Sequence, residues 1–160
     1  CVAGGTDLAL HCDMVVVAED AKVGFTPVRA MGTPPTHMWT YSVGPQWAKR
    51  MLMTGDLISG SKACEIGWAV EAVTADELDE TALELATRMS HIGQDLLTAN
   101  KYIVNKAVEL MGRSLMQQIA LEHDAIAHLA PEALEFGRIS QEEGLHAALA
   151  WRDGPFAEKS

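Results

Sequence analysis

The chain changes character near residue 74, and that change constrains the fold more than any other feature. Residues 1–73 mix short apolar runs with Gly and Pro, whereas residues 74–153 carry one amphipathic helical pattern after another. Thr74-Ala75-Asp76-Glu77 is a capping-box signature, and Leu78, Ala82, Leu85 and Met89 follow at helical spacing. Asp76, Glu77, Asp79 and Glu80 favour the positive N-terminal end of that helix. Leu96, Asn100, Ile103, Val104, Ala107 and Met111 share one face of the next helix, which Gly112 ends. Ser114 is expected to cap a third helix, with Leu115, Ile119, Ala120, Ile126 and Ala127 inward. Pro131 opens a fourth at a first-turn position, and Gly144 starts a last one through Trp151. A helical region this apolar, beside a small mixed one, predicts burial against other chains.

The first half reads as alternating short elements. Gly4-Gly5 precedes a short helix from Thr6 to Cys12, and the β-branched run Met14 to Ala18 predicts a buried strand. A turn at Glu19-Asp20-Ala21 leads into a second strand, Lys22 to Phe25. Pro27, Pro34 and Pro35 punctuate a loop. Helices are expected at 46–53, ending near Gly55, and at 61–66, stopped by Gly67, before a strand over 69–73. No low-complexity linker or fixed-period repeat interrupts the chain. The expectation is an α/β fold, with a mixed core over 1–73 and a helical region over 74–160.

Charge and cysteine usage narrow the function. A formal net charge of -10 argues against a nucleic-acid surface and against docking on an anionic membrane. Cys1, Cys12 and Cys64 match neither a disulfide framework nor a zinc pattern, which fits reduced thiols in a cytoplasmic protein. The histidines are scattered without metal-ligand spacing, so no metal site is read. No apolar run is long enough to span a membrane, and no signal peptide is visible. A Gly-Gly pair that opens a helix normally follows a strand, so residues are expected to be missing before Cys1.

Gly4-Gly5-Thr6-Asp7 is the sharpest local feature. Amides at a helix N-terminus point outward unpaired, and glycine lets a substrate oxygen approach them, which is what an oxyanion hole needs. Taken alone, the pair reads first as a turn, and Asp7 equally as a partner of the helix dipole.

The surrounding residues add a resemblance. Val2 to Asp13, a glycine-rich turn opening a helix that ends in Cys-Asp, resembles a segment of the crotonase (enoyl-CoA hydratase/isomerase) superfamily. Glu19 to Gly24, Gly32-Thr33-Pro34-Pro35, Met51 to Ser59, Ala63 to Val70 and Trp151 to Phe156 resemble further family segments in order. The resemblance implies a crotonase-like spiral of β-β-α units followed by a helical trimerisation region, and a homotrimer or hexamer. It implies an acyl-CoA thioester substrate, with coenzyme A entering as part of the substrate and no separate cofactor. It places Gly4 as one of two amides that stabilise an enolate oxygen, the other lying before Cys1. Asp7 falls where the family's first catalytic glutamate stands, one methylene shorter.

Departures bear on the reaction. The second glutamate's position falls on Val28, and the neighbouring Arg29 would depress a nearby carboxylate pKa rather than raise it. The segment Thr36 to Gly44 is shorter and bulkier than in the family, which predicts a reshaped acyl pocket. His37 on that loop is a candidate acid or base, and Val28 a candidate substrate contact. Arg152 matches a C-terminal segment that can touch coenzyme A. Trp39, Trp47, Trp68 and Trp151 are expected as core or interface anchors. With Val28 in place of a carboxylate, isomerase, decarboxylase or hydrolase chemistry competes with hydration. The alternative from another class is a catalytically weak acyl-CoA-binding or assembly subunit. Ordinary hydration survives if the segment before Cys1 supplies a carboxylate.

Overall fold

Backbone pairing around the first helix sets the geometry of everything that follows. In the computed structural model, which describes residues 1–157, Val2 forms a parallel bridge with Gly24. The Ala3 amide donates to Gly24 O at 2.9 Å. Ala3 then turns the chain at φ 56°, and helix α1 begins at once over Gly4–Leu10. The helix therefore starts two residues earlier than the expected Thr6, because the Gly4-Gly5 pair forms its first turn.

Strands are short. β1 (Val16–Ala18) pairs in parallel with β4 (Glu71–Val73), and β2 (Lys22–Val23) pairs antiparallel with β3 (Ile58–Ser59). The expected strand over Met14 to Ala18 is trimmed, since Met14 is exposed and only Val17 of the run is buried. The expected strand over 69–73 starts only at Glu71, although the Val70 amide still reaches Val15 O at 2.9 Å. Gly60 opens α3 (Gly60–Glu65), and a Cβ there would overlap the Ala18 carbonyl, so β1 and α3 approach only because this residue has no side chain.

Helix α2 runs over Trp39–Thr54, but Gly44 breaks it with φ 73° and ψ 168°. The expected helix at 46–53 is the part after the break, opened by Pro45. The part before it, expected as loop, is a helical turn that carries Trp39 and Val43 into the core. The main core gathers Val17, Val23, Phe25, Trp39, Met51 and Trp68. Trp39 and Met51 are fully buried, each stabilising the fold by about 1.5–3 kcal/mol or more. The Trp39 and Trp68 rings lie 6.3 Å apart. Of the other two tryptophans, Trp47 packs on this core and Trp151 is exposed.

The helical half follows as α4 (Leu78–Ser90), α5 (Gln94–Leu110), α6 (Arg113–Ala127), α7 (Pro131–Glu142) and α8 (Leu145–Asp153). The expected range of 74–160 ends in three residues that lie outside the described ones. The capping box at Thr74 is present, with Glu77 Oε2 accepting from Thr74 N at 3.2 Å. Ser114 does not cap α6, because Gly112 at φ 90° turns the chain two residues earlier and occupies the N-cap itself. The expected inward face of α6 is corrected as well. Ala120 is its one buried residue, while Leu115, Ile119 and Ile126 are exposed. Leu96, Ile103, Val104 and Met111 of α5 are exposed in the same way. These faces have helical periodicity and remain largely exposed among the described residues. By contrast α7 and α8 pack back on the first half, where Phe136, Ile139 and Ala148 enclose Ala30. No helix among the described residues is long and apolar enough to cross a membrane.

Candidate active site

Three segments meet at the start of α1. The first is α1 itself. Among the described residues the Gly4 amide makes no hydrogen bond to another backbone group, and a Cβ at Gly4 would meet nothing within 4 Å. The amide is thus an open donor at the positive end of the helix. Asp7 lies three residues on, on the same face. Thr6 Oγ1 donates to Ala3 O at 2.7 Å and fixes the turn that presents both.

Asp7 is 8 % exposed, an unusual state for a carboxylate. The second segment, the loop over residues 32–38, supplies its partner: Thr36 Oγ1 donates to Asp7 Oδ1 at 2.7 Å. Burial raises the Asp7 pKa above its ordinary value. The bond from Thr36 and the nearby His11 and His37 oppose that rise, and Asp124 adds to it. A first-turn carboxylate that merely answers the helix dipole would sit in water, whereas this one is enclosed and held by a hydroxyl.

His37 sits on the same loop at φ 38°, in the left-handed region that an L side chain seldom adopts. Its Nε2 lies 2.9 Å from Thr40 Oγ1, and burial lowers its pKa, with the charge of Asp7 acting the other way. Burial therefore favours its uncharged form.

The third segment is α6, which lies over the loop. The Thr33 amide donates to Asp124 Oδ1 at 2.8 Å, pinning loop to helix. Between them opens a cleft of about 280 Å³, lined by Val28, Thr33, Pro34 and His37 on one side and by Met116, Ile119, Ala120 and His123 of α6 on the other. Val28 itself stands on a 3₁₀ turn, Thr26–Arg29. On the other side of the loop lies an open pocket of about 390 Å³, where Thr36 faces His11 and Gln117.

Asp7 and His37 lie close enough for their charges to interact, His37 shares its cleft with Val28, and Gly4 stands three residues before Asp7 on α1. Arg152 is set apart from them. It is 8 % exposed, its Nε and Nη2 donate to both carboxylate oxygens of Asp153 at 2.9 and 2.7 Å, and Nη2 lies 3.4 Å from Thr26 Oγ1. Its guanidinium is engaged inside the chain, locking α8 to the turn that bears Val28. Arg29 adds Nη1 to Asp153 at 3.1 Å and stacks 4.0 Å from the Phe156 ring centre. Hydrogen bonds from Arg152 first, then Arg29, hold the Asp153 carboxyl below its ordinary pKa, so Arg29 does depress a carboxylate, though one far along the chain. Thr36, Asp124 and His123 were not singled out in the sequence, since nothing in their spacing links them to residue 7. No cluster of His, Cys, Asp and Glu suited to a metal ion occurs among the described residues.

A glycine-led helix with an enclosed carboxylate, set in short β-β-α units and followed by a helical region, defines a crotonase-like α/β protein. The enoyl-CoA hydratase/isomerase family matches residues 1–158, and the chain belongs to that family. A crotonyl-CoA hydratase of Syntrophomonas wolfei is 30 % identical over 162 residues, covering 99 % of this chain and 58 % of the relative. A 2,3-dehydroadipyl-CoA hydratase of Escherichia coli is 29 % identical, covering 93 % of this chain and 54 % of that protein. The crystal structure of an enoyl-CoA hydratase from Mycobacterium smegmatis superimposes with a TM-score of 0.94 at 39 % identity, over 100 % of this chain and 55 % of the other. The chain therefore spans a little over half the length of these relatives.

Proposed function

We propose that the protein acts on acyl-CoA thioesters through an enolate-like intermediate. The Gly4 amide would receive the thioester oxygen, and Asp7 would carry the proton to or from C2. The observation that carries this reading is Asp7 itself, buried, bonded to Thr36 and on the same helical face as an unpaired amide. A raised carboxyl pKa suits a group that must hold and release a proton. The relatives are named as hydratases acting on crotonyl-CoA and 2,3-dehydroadipyl-CoA, which favours enoyl thioesters as the substrate class. Val28 leaves the second carboxylate of the resemblance without a counterpart, so isomerase, decarboxylase or hydrolase chemistry stands beside hydration. Neither Arg152 nor a metal enters the reading, and the uncommitted thiols Cys1, Cys12 and Cys64 suit a cytoplasmic location.

The exposed apolar faces of α5 and α6 support association of copies as a trimer or a hexamer. Sedimentation of the full natural chain checks this, and a monomer at micromolar concentration would remove it. For the chemistry, that chain is assayed with a panel of acyl-CoA thioesters, alongside Asp7→Asn. Turnover that Asp7→Asn abolishes supports the reading. Binding without turnover of any panel member would favour an acyl-CoA-binding or assembly subunit instead.

A further inference from the structure

The cleft in front of Val28 has apolar walls from Leu52, Met116 and Ile119, and among the described residues its nitrogen-bearing side chains are His37 and His123. Three histidines of this chain place Nδ1 near the carbonyl four residues back: His11 on Asp7, His123 on Ile119 and His128 on Asp124. A carbonyl only accepts, so in the neutral ring Nδ1 carries the hydrogen and Nε2 keeps a lone pair. At His11 that lone pair faces the Gln117 amide at 3.1 Å. His128 lies against Asp124, with Nδ1 3.6 Å from Oδ1, and does not line the cleft. At His123, Nδ1 is 3.0 Å from Ile119 O, and Nε2 has no hydrogen-bond partner among the described residues. His37 differs, because its neighbour Thr40 Oγ1 both donates and accepts and so fixes neither ring nitrogen.

We infer that His123 is the catalytic base of the Val28 cleft, taking a proton from the water that adds to an enoyl thioester. This rests on the acyl-CoA reading above and supplies, from α6, the proton acceptor that Val28 cannot. Water oxygen bonds to C3 as one O–H bond breaks, and its proton goes to His123 Nε2. The C2=C3 electron pair moves toward the thioester carbonyl, whose oxygen takes the Gly4 amide. The Asp7 carboxyl then gives its proton to C2 as the enolate collapses. The imidazolium and carboxylate left behind exchange one proton through solvent, restoring both. The charged and titratable groups around His123 are His37 across the cleft, with Glu122 and Asp124 on its own helix; α2 presents the apolar Leu52.

The test uses the full natural chain, with crotonyl-CoA for hydration and butyryl-CoA in D2O for exchange at C2, which needs Asp7 and no water base. In His123→Gln, hydration is expected to fall by about 10²-fold or more, exchange to persist, and the acid limb of the kcat/KM profile to vanish. In His123→Ala, added imidazole is expected to restore hydration, which a merely structural histidine would not allow. Undiminished hydration in either variant overturns the inference while leaving the acyl-CoA reading intact, since exchange reports on that separately. So does an acid limb that disappears in His37→Gln but survives in His123→Gln. A parent chain with neither reaction overturns the functional reading, and this inference with it.

Discussion

Replacing Thr36 by Val removes one atom group from the site and keeps its volume nearly unchanged. The lost contact is the 2.7 Å bond from Thr36 Oγ1 to Asp7 Oδ1. A hydrogen bond to a charged group is worth about 1.5–3 kcal/mol, and one between neutral groups about 1 kcal/mol. Thr36→Val should therefore cost about 1.5–3 kcal/mol where Asp7 is ionised and only about 1 kcal/mol where it is protonated. The carboxylate is enclosed, so water does not take over the missing donor. Because the bond opposes the rise that burial imposes on the Asp7 pKa, its removal drives that pKa further up. Urea unfolding of parent and variant across the acid-to-neutral range reads the difference. The gap should widen as pH rises. In an Asp7→Asn background the same substitution should cost a constant amount at every pH. A pH-independent gap in the Asp7 protein would show that the bond does not discriminate between charged and neutral carboxyl. Asp7 would then be a polar core residue and not a tuned acid.

Three further outcomes follow from the same geometry. Asp7 has a folded pKa above its ordinary value of 3.8, so its contribution to stability is present below that value and lost as pH rises through the folded one; thermal unfolding of Asp7→Asn should lack this loss, and an identical pH slope in the variant would contradict it. Gly4→Val finds open space for its Cβ, so unfolding should change within about 0.5 kcal/mol, while turnover of the full chain falls by about 10²–10³ as substrate is pushed off the amide; unchanged kinetics would remove the oxyanion role. Asp153→Ala strips the buried Arg152 of its charge partner and should destabilise by about 2–4 kcal/mol, less than a fully enclosed pair because Asp153 is partly in water; a loss below about 0.5 kcal/mol, as for an ordinary surface pair, would refute the clamp.

Local signals in the sequence located what local forces decide. The capping box at Thr74, the breaks at Gly55 and Gly112, and the helical period beyond residue 74 are short-range chemistry and appear where expected. Gly4 and Asp7 were legible because they share one helical turn. The partners of Asp7 were not, since Thr36 and Asp124 reach it only once the loop and α6 have packed. The partners of Arg152 were equally out of reach of local reasoning. Its segment resembles one that can touch coenzyme A, and within the chain Asp153 beside it and Thr26 on another element hold its guanidinium. Periodicity identified the apolar faces of α5 and α6 correctly and their direction wrongly, because a period tells which residues share a face and not what the face meets.

Helix α6 has two sides with different duties. One side, through Met116, Ala120 and His123, closes the cleft, and Asp124 bolts it to the loop that holds Asp7. The other exposes Leu115, Leu121 and Ile126. Anything that settled on its outer surface would bear on a helix whose other side walls the cleft and whose Asp124 holds Thr33 by one hydrogen bond. The exposed face and the cleft are thus two surfaces of one helix, one helical diameter apart.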